Sequence, residues 1–490
     1  MVYIKKNYTF ENIVLDKYQT KAVYCNNNRY LVIAGAGSGK TLTIVGKVNY
    51  LINNKNVNPK EILCISFTNE SVNSLKEALI EKNISVDVKT FHKLALSFID
   101  NNYMIASSSI LNYIIDEYFY SYIYFDNCSK LFDYYLDENQ QNKENFILYF
   151  KNIIYMFINS FKNYNYDISF FLKIILKCRD NSDKILLILI FKIYILYQEE
   201  LKSQNLIDFN DIINKAIEKI DNLKYFRYKY LIIDEYQDTS YSKCIFVKKI
   251  IAKFNVNLMA VGDDFQSIYS FTGCNIKMFL DFKKNFKKSK IIKLKNTYRN
   301  PKDIVDISRK FILKNKDQLR KTLSSNKYIK DSILIVYSKN IPYDVSRIIK
   351  EKDDILILGR NNSDVNLLVD NKNFSIIDNK LIYLRNKNKN IRFLTVHASK
   401  GLESDIVIVL NVIDSNLGFP NKIIEYKLFN YINPFKKSKF PYAEERRIFY
   451  VALTRTKSQI FLFTNKKNPS IFIKELIKNY NWKIKKIDFE

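Results

Sequence analysis

The sequence predicts an α/β fold: two units of parallel sheet, the first interrupted by a helical insertion. Three observations carry this. Over residues 1–100, strand-length apolar runs alternate with segments of helical spacing. The alternation resumes at Tyr228 and again beyond Lys293. Between them, residues 101–205 place Tyr, Phe, Ile and Leu at helical spacing and contain no Gly or Pro.

Tyr30-Leu31-Val32-Ile33 is a short apolar strand, and Leu42-Thr43-Ile44-Val45 can open a helix. Between them lies Ala34-Gly35-Ala36-Gly37-Ser38-Gly39-Lys40-Thr41. Strand, glycine loop, helix is the context of a phosphate loop. The glycines let backbone N–H groups turn inward around phosphate oxygens, and the helix N-terminus adds partial positive charge. Lys40 then reaches the β- and γ-phosphates, and Thr41 places its hydroxyl on Mg²⁺. Ala34 stands where the strict pattern has Gly.

Lys60 to Thr68 reads as the next strand, Ser71 to Glu81 as a helix through Val72, Leu75, Ala78 and Leu79, and Val86 to Thr90 as a third strand. Strands are expected at 229–233 and 257–262. Leu231-Ile232-Ile233 delivers Asp234 and Glu235 to the sheet edge. Adjacent carboxylates there suit nucleotide hydrolysis, one ligating Mg²⁺ and one activating a water. Gln237 and Asp238 add a polar pair. Beyond Lys293, strands are expected at Ser332 to Tyr337, Asp354 to Leu358, Ile391 to Val396, Ile406 to Leu410 and Ile460 to Phe463. Asn386 to Asn390 reads as a solvated loop. The expected plan is a first domain from 1–100 and 206–292, a helical subdomain at 101–205, and a second domain at 293–490.

The length of 490 residues implies more than one domain, and 47% hydrophobic content suffices for sizeable cores. Lys+Arg 78 against Asp+Glu 50 gives net charge +28, which points to a polyanionic partner, most simply nucleic acid. The general richness in Lys, Asn, Ile and Tyr is also what a biased genome composition produces. None of the six cysteines forms a Cys-x-x-Cys pair, against a zinc site or disulfide framework and for a reducing compartment. The N-terminus is mixed polar, unlike a signal peptide. The most apolar stretch, Ile185 to Tyr197, is broken by Lys192 and too short for a membrane span. A cytoplasmic protein is expected. Two histidines, His92 and His397, leave little material for a histidine metal cage or a hydrolase triad.

Further motifs follow in order: Tyr18-Gln19, the phosphate loop, Ser66-Phe67-Thr68-Asn69, Thr90-Phe91-His92 and Asp208-Phe209-Asn210-Asp211. Then come Asp234 to Ser240, Val261-Gly262-Asp263-Asp264-Phe265-Gln266-Ser267-Ile268-Tyr269 and Asn296-Thr297-Tyr298-Arg299. Thr395-Val396-His397-Ala398-Ser399-Lys400-Gly401-Leu402-Glu403, Glu444-Glu445-Arg446-Arg447 and Tyr450 to Arg455 close the series. The ordered set resembles the UvrD/Rep/PcrA family of superfamily 1 DNA helicases, from about Leu15 to Phe463.

The resemblance implies two RecA-like domains with ATP in the cleft between them and single-stranded DNA across both. By it, Lys40 and Thr41 hold phosphates and Mg²⁺, Asp234 ligands Mg²⁺, Glu235 orients or deprotonates water, and Gln266 senses the γ-phosphate. Gln19 reads adenine and Tyr298 stacks on it. Arg299 and Arg455 act as arginine fingers, Glu403 holds the ribose and Gly401 approaches phosphate. Cations spread around the developing charge accelerate phosphoryl transfer, and placing them on the opposite domain couples hydrolysis to closure. On the DNA side, Phe67, Phe91, Tyr269 and Phe271 are expected stacking platforms. Thr68, Asn69, His92 and His397 are expected beside the strand, the histidines as hydrogen-bonding groups.

Three positions depart from the family: Leu42 where an Arg is common, Glu70 where a Lys is common, and Thr272 after Phe271. Arg299 and Thr395 also lie too close for the large accessory domain that relatives insert there. The expected activity is 3′ to 5′ translocation or unwinding on single-stranded and tailed duplex DNA, in repair, replication or recombination, with a nuclease or repair factor as a possible protein partner. One alternative is the helicase-like subunit of an antiviral defence system of the Gabija type. Another is a non-catalytic DNA-binding regulator on a helicase scaffold.

Overall fold

The computed structural model describes residues 8–10, 13–99, 103–124, 143–349, 354–378, 380–386, 389–422, 427–435 and 438–489. The first sheet comprises β1 (Arg29–Ile33), β2 (Ile62–Ser66), β3 (Asp87–Thr90), β4 (Tyr230–Ile233), β5 (Asn257–Gly262) and β6 (Lys290–Lys293), ordered β6-β1-β5-β4-β2-β3. Every pairing is parallel. A parallel sheet is covered on both faces, so its strands read as continuous apolar runs. Leu31, Ile33, Leu63, Ile65, Leu231 and Ile233 face one core, while Tyr30, Val32, Ile62, Cys64 and Ile232 face the other.

Helices start where motif residues cap them. Asp16 and Gln19 form a capping box on α1 (Lys17–Val23), and the phosphate loop runs into α2 (Lys40–Lys55). Thr68 caps α3 (Asn69–Ile80) and Thr90 caps α4 (Phe91–Leu96), each accepting a backbone N–H with its hydroxyl. Glu70 sits exposed in the first turn of α3, where an acid stabilises the helix dipole.

The insertion holds α5 (Ser108–Tyr124), α6 (Lys143–Asn163), α7 (Ile168–Lys177) and α8 (Asn181–Ser203) around a core of its own. Its ends are tied by parallel pairing of Met104–Ile105 with Leu206–Ile207. Leu428, Phe429 and Ile432, which lie in the chain between the second sheet's strands Ser404–Val409 and Thr456–Thr464, complete this core. Residues 101–102 and 125–142 of the expected insertion lie outside the described residues, as do 387 and 388 of the expected loop. After the insertion come α9 (Phe209–Lys219), capped by Asp208, and α10 (Tyr241–Phe254), capped by Ser240.

The second sheet repeats the first plan. Its strands are β7 (Ile333–Tyr337), β8 (Asp354–Gly359), β9 (Asn390–Thr395), β10 (Ser404–Val409), β11 (Thr456–Thr464) and β12 (Lys485–Asp488). The order is β9-β8-β10-β11-β7-β12, again all parallel. A small antiparallel hairpin, Phe374–Ile377 with Lys380–Tyr383, sits between β8 and β9. The hairpin, β6 and β12 were not expected from sequence. Both β6 and β12 are four-residue edge strands carrying lysines, the charged pattern by which edges resist aggregation and which hides them from an apolar-run search. Among the described residues, no helix is long and apolar enough to cross a membrane.

Candidate functional site

The phosphate loop leaves β1 and ends at Gly39, the N-cap of α2. Gly37 and Gly39 have φ of 68° and 75°, left-handed values that favour glycine. A Cβ on Gly37 would strike Arg299, and one on Gly39 would strike Gln19. Ala34 is fully buried and its N–H donates to Gly262 O at 2.9 Å, so the alanine fills packed space below the loop. The Ser38 hydroxyl donates to Gly35 O at 2.8 Å, and Thr41 is exposed at the helix start.

The acidic pair meets this loop from β4. Lys40 Nζ lies 2.5 Å from Glu235 Oε1. Burial lowers the Lys40 pKa, but Glu235 and Asp234 outweigh burial and hold it above its ordinary value. Burial raises Glu235, yet Lys40 and Lys400 bring it below the usual carboxylate range. Asp234 goes the other way, raised by burial and by Glu235. Asp234 Oδ1 accepts the Glu235 N–H at 2.8 Å. Glu235 itself has φ 49°, a left-handed value rare outside glycine and the kind of strain that collects at functional sites. Gln237 Nε2 donates to Glu235 Oε2 at 2.6 Å, and Gln237 Oε1 accepts the Asp263 N–H at 2.9 Å.

Groups from the second unit close the cleft. Arg455 is buried and reaches Gln266 Oε1 with Nη2 at 3.1 Å, while its other nitrogens donate to Val451 O and Leu402 O. Burial and then Arg299 lower its pKa to about 9. Arg299 Nε donates to Glu403 Oε2 at 2.6 Å, so Glu403 is engaged by a guanidinium here. Gly401 has φ 90° and open space where a Cβ would stand. Lys400 donates to Asp238 and, at 2.7 Å, to Gln266 O. Thr297 donates to Ala36 O at 2.7 Å and Tyr298 N to Gly37 O at 2.9 Å, laying this segment on the phosphate loop. The Tyr298 ring is exposed and its hydroxyl donates to Asp16 at 2.7 Å. Gln19 is committed at both ends of its amide, accepting from Asp16 N at 3.0 Å and donating to Ser38 O at 3.1 Å. Leu42 is half-buried against the core on the Tyr30, Val32 and Ile62 face of the sheet.

Aromatic groups line a second face. Phe271 is 53% exposed, Tyr269 stands 6.0 Å from it, and His397 lies 5.5 Å from Phe271 on the opposite unit. Thr272 donates to Tyr269 O at 2.8 Å, closing the turn that carries Phe271. Phe67 is half-buried, with Thr68 and Asn69 exposed beside it. Phe91 corrects the sequence reading. It is 1% exposed, in the first core, and 5.1 Å from Phe67, so it supports Phe67 and offers no free face to a base. Burial, reinforced by nearby cations, lowers both His92 and His397 to a pKa of about 4, so both are neutral at pH 7.

Sequence reasoning assigned no role to Phe209, which is 55% exposed and edge-on to His92 at 5.2 Å. Its signal was the motif Asp208-Phe209-Asn210-Asp211, in which Asp208 and Asp211 both pair with the buried Lys162 of α6. It also assigned none to Glu444 and Arg447. Glu444 accepts from Ser270 and Arg447 donates to Ser267 O, so they grip the turn bearing Tyr269 and Phe271.

A glycine loop facing an acidic strand end, completed by arginines from a second parallel-sheet unit, defines a two-domain P-loop nucleoside-triphosphatase. Family comparison narrows this class. Residues 15–287 match the UvrD/REP helicase N-terminal domain, and residues 371–467 match the UvrD-like helicase C-terminal domain. The chain belongs to the UvrD-like helicase family. DNA helicase IV of Escherichia coli is 26% identical across 96% of this chain and 71% of its own length. A Rep helicase of Buchnera aphidicola is 30% identical across 67% of this chain but 49% of its own. The PcrA helicase of Staphylococcus aureus is 26% identical across 85% of this chain and 58% of its own. The chain thus spans about half the length of Rep and PcrA.

Proposed function

We propose that the protein is an ATP-driven motor that moves 3′ to 5′ along single-stranded DNA and separates tailed duplexes, in repair, replication or recombination. One observation carries this reading: Lys40, Glu235 and Gln266 of the first unit converge with Arg299 and Arg455 of the second. Lys40 Nζ pairs with Glu235, and phosphate oxygens at the loop would compete for the ammonium and free that carboxylate for water. The fit to Mg²⁺ is supported by the same contact, which puts the end of the phosphate loop within side-chain reach of the acidic strand end. Thr41 and Asp234 are the groups to hold the ion, which when bound neutralises β- and γ-phosphate oxygens. Gln266 and Arg455, already hydrogen-bonded, face the γ-phosphate as a pair.

Arg299, held by Glu403 at 2.6 Å, is the group to reach the phosphates on closure, which would leave Glu403 for the ribose. Gln19 and Tyr298 flank the adenine position, Gly401 leaves room for close approach, and Ala34 to Gly39 form the cradle. Phe67, Phe209, Tyr269 and Phe271 supply base-stacking faces, with Thr68, Asn69, His92 and His397 beside them. The net charge of +28 suits the phosphate backbone. A cytoplasmic setting and a nuclease or repair-factor partner belong to the same reading, as does the domain plan with a reduced accessory region.

Displacement of a labelled strand from 3′-tailed and 5′-tailed duplexes tests it, with Glu235→Gln as control. ATP-dependent displacement from the 3′-tailed substrate alone, abolished by the substitution, is the expected result. Equal action on both tails would refute the direction.

A further inference from the structure

Lys321 is a buried cation outside every motif. The Lys321 side chain is 0% exposed, as are those of Asp263 and Asp264. Its Nζ pairs with Asp263 Oδ1, lies 2.8 Å from Asp264 Oδ1, and stands 3.5 Å from the centre of the Phe265 ring. Lys321 sits on the segment that returns from α11 (Lys302–Ile312) to the first unit. That segment is pinned on either side of it. Leu319 N donates to Asp264 Oδ2 at 2.8 Å, and Leu323 packs beneath Gly35, where any Cβ would collide with it.

Asp263 is the junction of two chains of contact. Its Oδ2 accepts from Gln266 Nε2 at 2.7 Å, and Gln266 Oε1 accepts from Arg455 at 3.1 Å. Its backbone N–H donates to Gln237 Oε1 at 2.9 Å, and Gln237 Nε2 donates to Glu235 Oε2 at 2.6 Å. Two adjacent buried carboxylates are tolerated only with a matching cation. Lys321 is the cation paired with both, so it sets where Asp263 points.

We infer that Lys321 is a positioning residue for hydrolysis. Through Asp263 it fixes Gln266 and Gln237, and through them Arg455 and Glu235. This rests on the motor reading above. Small displacements of groups aimed at a transferring phosphoryl cost rate far more than ground-state binding.

The test uses the full chain as wild type, Lys321→Met with Asp264→Asn, and Lys321→Arg. The double variant removes one cation and one anion together, which limits the charge imbalance left in the interior. Folding is followed by thermal melting, nucleotide affinity by ADP titration, and rate by DNA-stimulated ATP hydrolysis. In the double variant, kcat is expected to fall about tenfold to a hundredfold while the ADP Kd stays within about twofold. A folded double variant with wild-type kcat, or with kcat and ADP affinity lost in equal proportion, overturns the inference. If the double variant does not fold, Lys321→Arg carries the test, since it keeps the charge but not the compact ammonium. A severalfold loss of kcat at unchanged ADP Kd supports the inference, and an unchanged kcat overturns it. Wild-type protein without any hydrolysis would sink the motor reading as well; wild-type turnover with unaffected variants sinks this inference alone.

Discussion

The two six-stranded sheets share one plan and carry different chemistry. Both are wholly parallel and sandwiched between two apolar layers. The first sheet's strand ends present the phosphate loop, Asp234 and Glu235; the second unit presents Arg299, Lys400, Glu403 and Arg455. Polar contacts join the two halves. Lys400 pairs with Asp238, Arg455 with Gln266, and Arg447 with Ser267 O. On the proposed reading, hydrolytic competence is a property of the junction, and motion of one sheet against the other would gate it.

Breaking that division from the second side has the largest expected effect. Arg299→Ala should lower DNA-stimulated ATP hydrolysis by about a thousandfold or more, the range of a supplied arginine finger. Arg299 lies against Gly37 of the phosphate loop while its guanidinium bonds Glu403 in the second unit, so nucleotide affinity should change far less. Weakened affinity with kcat unchanged, measured by steady-state kinetics and ADP titration, would place Arg299 in binding alone.

The aromatic face sharpens the comparison at smaller size. Phe271→Ala should weaken binding to single-stranded oligonucleotide by about 1–3 kcal/mol, the value of one stacked base, without changing ADP affinity. Phe91→Ala should instead lower the melting temperature, because Phe91 is core and buried large-to-small changes leave a cavity. Fluorescence anisotropy and melting curves separate the two. A DNA defect in a normally stable Phe91→Ala protein would restore its original assignment.

The smallest effect concerns pH. Unfolded histidines titrate near 6.5, whereas burial lowers folded His92 and His397 to about 4. Below pH 6.5 the unfolded chain binds more protons, so this contribution to stability is full above 6.5 and is lost between 6.5 and 4. His92→Asn with His397→Asn should flatten that part of the stability profile relative to wild type. Parallel profiles from chemical denaturation would contradict the burial argument.

Much of this was legible because chemistry demanded local patterns. The glycine loop, the strand-end acids and the arginines stand at fixed offsets that sequence alone displays. What was illegible depends on tertiary placement. Phe67 and Phe91 sit in similar motifs, yet only packing decides that Phe91 faces the core. Gln19 could not be known to brace Ser38, since its partner lies across the loop. Lys321 looks like any of many lysines until the chain returns it between two buried aspartates. The edge strands β6 and β12 escaped because their lysines mask a short apolar core.

The most direct test of the shared-site account is steady-state ATP hydrolysis by the full chain, with and without single-stranded DNA. Strong stimulation in wild type, absent in both Arg299→Ala and Glu235→Gln, is the predicted result. Hydrolysis indifferent to DNA, or surviving the loss of Arg299, would contradict it.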